Sequence, residues 1–312
     1  MDIAAKTGIG IIRIANGLVN TFVLVVILLL LVFGCYTMWD SAQVYRAASF
    51  NHYEMFKPTA ESGDKTFKEL QAINPDVFAW LTVYGTNIDY PVVQGTDNIK
   101  YVNTNVEGKH SLSGAIFLDY RSSPDFSDFS SIFYGHHMDA AAMFGEIGMF
   151  HDESYFNARR YGTLYYGGQE RGLEFFAFVH ADAYDNSVFR VRVTGEQEQQ
   201  AYLELLIEMA MYLRDDAPVT IDDRLVLLST CSASSTNGRD ILVGKIIDTI
   251  HSNPFDTESV NSPAAIPVID GLSDSWTQAD LWVKIIIIAL PCVLILLMIL
   301  MICKKKPDEG AK

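Results

Sequence analysis

Between Asp40 and Lys284 the chain has one cysteine, Cys231. The other three, Cys35, Cys292 and Cys303, lie in or beside two long uncharged stretches. A lone thiol cannot close an intramolecular disulfide, so no disulfide framework holds the middle of the chain together. Cys231 is therefore either a small buried hydrophobe or a reactive group. Positive charge is also scarce. Lys and Arg number 23 against 38 Asp and Glu, for a net charge of −15. The flank up to Arg13 carries +1 and the tail after Cys303 carries +2, which leaves −18 on the rest. Phosphate binding needs a basic patch, so nucleic acid is excluded as a partner and the acidic surface reads as a solvated one.

No charge occurs from Ile14 to Trp39 or from Ile285 to Cys303. A helix needs roughly 20 apolar residues to span a bilayer, and both stretches meet that length. Lys6 and Arg13 precede the first, and Lys304, Lys305 and Lys306 follow the second. Basic flanks mark the cytoplasmic side, so both termini are expected inside and the middle outside, as a cell-membrane protein with two spans. Trp39, Trp276 and Trp282 fall near the outer boundaries, where amphipathic rings settle. A cleaved signal peptide has an apolar core of only about 7–15 residues and a small-residue cleavage site. The first stretch is longer and no Ala-x-Ala follows it, while Phe33 fits a lipoprotein box around Cys35 poorly. An uncleaved anchor is expected.

The expected organisation is a cytoplasmic N-terminus (1–13), an anchor (14–39), a helical entry segment (40–74), a β-barrel (75–250), a linker (251–280), a second transmembrane helix (281–303) and a cytoplasmic tail (304–312). In the entry segment Phe67, Leu70 and Ile73 share one helical face, and Asn74-Pro75-Asp76 ends the pattern. Short β-type runs follow at 77–83, 88–93, 115–118, 132–134, 163–166, 174–180, 188–193, 225–230 and 241–247, many separated by Gly, Asn and Asp. Such spacing predicts a barrel or sandwich. One helix is expected over Glu196–Arg214, with Tyr202, Leu205, Leu206, Met209, Tyr212 and Leu213 on one stripe, and a shorter one over Ala140–Ile147.

Two stretches carry chemistry. In Ser131-Ile-Phe-Tyr-Gly-His-His-Met138 an apolar strand runs through Gly135 into two histidines; in Leu225-Val-Leu-Leu-Ser-Thr-Cys231 another ends in the thiol. Arg239 comes eight residues later, before a further strand, so a hairpin can return it to the same rim. A free cysteine of pKa about 8.5 is mostly protonated at neutral pH, and an imidazole can take that proton and return one to a leaving amine. A fixed guanidinium stabilises the oxyanion of the tetrahedral intermediate. Arg224 flanks the far end of the Cys strand. His52, His110, His151, His180 and His251 read as surface or packing residues, and no metal site or cofactor is expected.

The sequence resembles the sortases, specifically class B. Asn74-Pro-Asp-Val-Phe-Ala-Trp80, Gly85-Thr-Asn-Ile-Asp-Tyr-Pro-Val-Val-Gln94 with Asp97-Asn98, Gly114-Ala-Ile-Phe-Leu-Asp-Tyr-Arg121, Tyr134-Gly-His-His-Met138 and Leu228-Ser-Thr-Cys231 followed by Arg239 occur in family order over about residues 67–248. The resemblance implies a mainly β, sortase-like closed barrel with an N-terminal helical segment and additional helices, here between two transmembrane helices. It implies Cys231 as nucleophile, His136 as acid/base and Arg239 as oxyanion stabiliser, with Asn98, Ser229 and Thr230 as substrate-binding positions. His137 is expected to point elsewhere. The implied partners are secreted proteins bearing an Asn-Pro-x-Thr-Asn-like or Leu-Pro-x-Thr-Gly-like sorting motif, and an amine acceptor from a lipid-linked peptidoglycan precursor or a pilin. The second anchor departs from class B wall-anchoring enzymes, and no Asp-Pro-aromatic lid of the class C kind precedes the barrel. The alternatives are a hydrolytic cysteine peptidase, disfavoured because His136 precedes Cys231 whereas papain-like enzymes have the reverse order, and an inactive surface scaffold or adhesin.

Overall fold

The structure is a computed structural model and describes residues 3–49, 52–59, 65–138, 141–231 and 237–256. The second expected span, the tail and the linker beyond residue 256 lie outside the described residues. Helix α1 (Ile3–Ala48) contains the stretch Ile12–Trp39, which has a mean hydropathy of 2.9 and is long and apolar enough to cross a membrane.

Residues 43–261 form a compact unit of their own. A short helix α2 (Lys65–Ile73) buries Phe67 and Leu70 and leads into nine strands among the described residues. These are β1 (Val77–Val83), β2 (Asp89–Val93), β3 (Ile116–Leu118), β4 (Ser130–Tyr134), β5 (Tyr161–Tyr166), β6 (Gln169–Asp182), β7 (Ala210–Leu213), β8 (Arg224–Cys231) and β9 (Gly238–Ile247). The sheet runs β5-β1-β2-β3-β4-β8-β9-β6, and β6 pairs back onto β5, so eight strands close and β7 hangs on the outside of β6. Closure removes the exposed strand edges that invite aggregation. β2–β3 and β4–β8 are parallel; the other pairs are antiparallel.

Strand alternation sorts side chains into two cores. Inside the barrel Phe133 of β4, Phe175 and Phe178 of β6, Val226 and Leu228 of β8 and Leu242 of β9 pack with Trp80 and Tyr90. On the outer side Ile132, Val179, Leu225, Leu227, Ile241 and Val243 pack under Tyr202, Leu203 and Leu206 of α4 (Glu196–Glu208). Both faces of β8 and β9 are covered, which accounts for their unbroken apolar runs. The remaining helix, α3 (Glu153–Ala158), is capped by Asp152, whose carboxylate accepts from the backbone N–H groups of Ser154 and Tyr155.

The structure corrects four local expectations. Residues 188–193 are not a strand. Val188, Val191 and Val193 are buried, but the Val188 N–H bonds back to Asp185 O and the Val188 carbonyl takes the Tyr202 hydroxyl at 2.6 Å, so the segment turns and makes no ladder. The helix expected over 196–214 stops at Glu208, and Ala210–Leu213 becomes β7, pairing with Ala177–Val179. Tyr212 there stacks on Phe156 and donates its hydroxyl to His151 O at 2.8 Å, contacts that override helical periodicity. The short helix expected over 140–147 is a 3-10 helix at Gly145–His151. Gly145 is needed there because a Cβ would run into the Met138 carbonyl. In the entry segment, α1 ends at Ala48 and α2 starts at Lys65, with a 3-10 turn at Glu54–Phe56 between them.

Candidate active site

The strand register gathers the three chemical residues at one end of the barrel. β8 and β9 are antiparallel with Cys231 opposite Arg239. β4 lies parallel to β8 with Tyr134 opposite Ser229, and the next residue, Gly135, donates its N–H to Ser229 O at 3.3 Å. His136 thus follows at the level of the last residues of β8. Gly135 has to be glycine, because a Cβ there would lie 2.7 Å from both Phe144 and Ile116 side-chain carbons. The short residue lets the chain turn off the strand while β3 and the Phe144 ring stay close.

His136 is held by its own ring. Nε2 lies 2.7 Å from Val102 O, and a carbonyl only accepts, so Nε2 carries the hydrogen. In the neutral imidazole this leaves the lone pair on Nδ1. His137 turns the other way: its Cε1 lies 3.3 Å from where a Gly148 Cβ would stand. Arg239 is half-buried and donates from Nη1 to Gly238 O at 3.1 Å. Among the described residues no carboxylate pairs with it, so its remaining donors are not committed to an anion.

The three expected substrate-binding residues divide. Ser229 and Thr230 are buried, and neither hydroxyl has a hydrogen-bond partner among the described residues. Asn98 is engaged on both sides of its amide: Nδ2 donates to Asp119 Oδ2 at 2.9 Å and Oδ1 accepts from Tyr120 N at 3.0 Å. It anchors the corner after β3. Asp119, fully buried, also accepts two hydrogen bonds from the Arg121 guanidinium at 2.8 and 2.7 Å and one from the Tyr134 hydroxyl at 3.2 Å. Burial resists ionisation of this carboxyl, but the Arg121 and Asn98 hydrogen bonds outweigh it and hold its pKa below the ordinary value. Burial pushes the neighbouring Tyr134 hydroxyl up, and the Asp119 charge adds to that. The segment Gly114–Arg121 carries the family resemblance but marks no role for Asp119 or Arg121.

A second cluster was also missed. Asp240, one residue past Arg239 and 1% exposed, accepts at Oδ1 from His180 Nδ1 at 2.8 Å and from His151 Nε2 at 3.0 Å. From sequence alone both histidines read as surface or packing residues. They sit 29 residues apart in sequence, and neither shows a ligand-type spacing with Asp240, so no motif marks them. Only the β6–β9 register, which puts His180 opposite Asp240, brings them together.

No family model matches the sequence. Among curated proteins, sortase B of Listeria monocytogenes is 30% identical over 182 residues, covering 58% of this chain and 73% of that protein. Among solved structures, sortase B from the Type II pilus of Streptococcus pneumoniae is 46% identical with a TM-score of 0.52, over 59% of this chain and 99% of that one. A class B sortase of Streptococcus pyogenes involved in pilus biogenesis is 41% identical with a TM-score of 0.53, over 58% and 97%.

Proposed function

The chain belongs to the class B sortases and is a cysteine transpeptidase, and we propose that Cys231, His136 and Arg239 perform its two acyl transfers on the sorting motif of secreted proteins. The observation that carries this assignment is the register pairing of Cys231 with Arg239, beside the β4 exit that bears His136.

His136 Nδ1 takes the Cys231 thiol proton; the thiolate attacks the scissile carbonyl, a C–S bond forms, and the carbonyl oxygen becomes an oxyanion facing the Arg239 guanidinium. Collapse breaks the C–N bond, and the departing amine takes a proton from His136. The Val102 carbonyl fixes Nε2–H of that ring, so Nδ1 is the atom through which protons enter and leave. A second amine then attacks the thioester, loses its proton to the same imidazole and releases the thiolate. The buried hydroxyl of Ser229, without a partner among the described residues, has hydrogen-bonding capacity to spare for the peptide, whereas Thr230 has the inner parity of Leu228 and Asp240.

The substrate is a secreted protein with an Asn-Pro-x-Thr-Asn-like motif in preference to a Leu-Pro-x-Thr-Gly-like one. Its acceptor amine is a pilin lysine in preference to a lipid-linked wall precursor: the two relatives named for pili are 46% and 41% identical, against 30% for the Listeria enzyme. The apolar stretch Ile12–Trp39 and the uncharged run 285–303 tether the enzyme with both termini cytoplasmic and the barrel outside. Tethering confines enzyme and membrane-bound substrates to one surface and raises their effective concentration.

The test uses the full chain in detergent micelles with sorting-motif peptides, a pilin-type lysine peptide or a wall-type amine, and mass spectrometry of the products. The expected result is a Cys231 thioester and a new amide to the lysine peptide. Hydrolysis alone, whatever amine is supplied, would overturn transfer in favour of a peptidase; turnover by Cys231→Ala would overturn the nucleophile.

A further inference from the structure

We propose that His151, His180 and Asp240 form a binding site for a divalent transition metal of the zinc class, on the barrel-interior side of the β8–β9 ladder. Nothing in the transpeptidase chemistry uses these residues, and the site stands whether or not that mechanism is as drawn.

Strand parity sets the location. Asp240 alternates with Arg239 and shares the inward parity of Leu242, while His180 shares that of Phe178. His151 ends the 3-10 helix that crosses this end of the barrel, and its ring lies edge-on against Phe178 at 5.0 Å. Three separate elements thus converge on one carboxylate. The ligand atoms, one from each residue, lie within 4.8 Å of one another. Zinc holds imidazole nitrogens and carboxylate oxygens at about 2.0–2.2 Å, which puts tetrahedral ligand atoms roughly 3.3 Å apart. The two N···Oδ1 distances, 2.8 and 3.0 Å, widen by a few tenths of an ångström, and the two imidazole nitrogens, within 4.8 Å of each other, draw in toward that spacing.

The chemistry of the set also fits. Two imidazoles and one carboxylate form a borderline nitrogen/oxygen donor set, which suits zinc, iron or cobalt and not calcium or magnesium. Each imidazole is about one-third exposed while the carboxylate is buried, so a cation can reach the nitrogens from solvent and be neutralised from below. A metal replaces the two ring protons that now point at Asp240. Gly148 lies beside this cluster. Asp240 Oδ2 and His137 Nδ1, the latter buried and without a hydrogen-bond partner among the described residues, both lie 3.8 Å from the position its Cβ would take.

The test is a titration of tag-free, chelator-treated full chain in detergent micelles with cobalt(II), read by its visible d–d absorption. Cys231→Ala is used as the background, so that the thiol cannot supply a ligand. The expected result is saturation at one equivalent without a sulfur charge-transfer band, displacement by zinc, and loss of tenfold or more in affinity in both His180→Gln and His151→Gln. Circular dichroism checks that each variant folds, and either folded variant is sufficient. Absence of saturable binding below millimolar cobalt, or equal affinity in a folded histidine variant, would overturn the site.

Discussion

The two faces of the β8–β9 ladder treat charge in opposite ways. On the outer parity Arg239 stands opposite Cys231 with one hydrogen bond to a backbone carbonyl and, among the described residues, no carboxylate beside it. One residue on, with the inner parity, Asp240 is buried and takes two imidazole hydrogen bonds on one oxygen. The corner at Asp119 resembles the inner face, with Arg121, Asn98 and Tyr134 all spent on one buried carboxylate. Committed charges hold the scaffold, whereas in the proposed mechanism the uncommitted Arg239 is kept for charge that develops during reaction.

The sharpest way to break that contrast is to exchange the roles. Arg239→Ala should lower kcat/KM by about 10²–10³, because a donor aimed at an oxyanion contributes roughly 2.7–4 kcal/mol to the transition state. Its unfolding free energy should change by no more than about 0.5 kcal/mol, since no ion pair is lost. Steady-state kinetics and urea unfolding of the full chain in micelles check both. A large loss of stability with little loss of activity would place Arg239 with the scaffold arginines.

Asp119→Ala should give the reverse pattern. It leaves the guanidinium of Arg121, the amide of Asn98 and the Tyr134 hydroxyl without their acceptor. The expected cost is about 1–3 kcal/mol of stability, toward the lower part because Arg121 is 40% exposed and water takes over some of its bonds. Any change in KM would come through the corner that Asn98 holds. Ser229→Ala, by contrast, removes a hydroxyl with no partner among the described residues. It should leave stability nearly unchanged and raise KM a few-fold for the sorting peptide, as loss of one hydrogen bond of about 1 kcal/mol requires.

How much of this was legible in the sequence depends on whether the signal was local. β1 at Val77–Val83 coincides with its apolar run, and β8 and β9 lie within a residue or a few of theirs, because strands covered on both faces have to be continuously apolar. The Cys231–Arg239 pairing was legible as well, since a short hairpin returns residue 239 to residue 231. β7 was not: Ala210-Met-Tyr-Leu213 continues the helical stripe of α4, and only its contacts with β6 and Phe156 make it a strand. The valines at 188, 191 and 193 misled in the other direction, being apolar for packing and turned by Asp185 and Tyr202. The Asp240 cluster joins residues 60 and 89 positions apart, a distance at which only sheet register carries information.

Acid offers the finest comparison, between two buried carboxyls of opposite sign. Asp119 is held below its ordinary pKa, so the unfolded chain, near 3.9, binds its proton first on acidification. Its contribution is fully present above the unfolded value and is lost as pH falls through the folded one. Glu146 is pushed up by burial, against the pull of the Asn87 N–H at 2.7 Å and the Arg159 charge. Its folded form keeps a proton that the unfolded chain gives up near 4.3, so its contribution is present below that value and is lost as pH rises through the folded one. Asp119→Asn should therefore flatten the acid limb of melting temperature against pH. Glu146→Gln, whose amide oxygen still accepts from Asn87 N, should lift the neutral limb by an amount at or below about 1 kcal/mol, the smallest effect of the set. A shared response of both variants on the same limb would mean that the two carboxyls titrate alike and that the Arg121 bridge, not burial, fails to separate them.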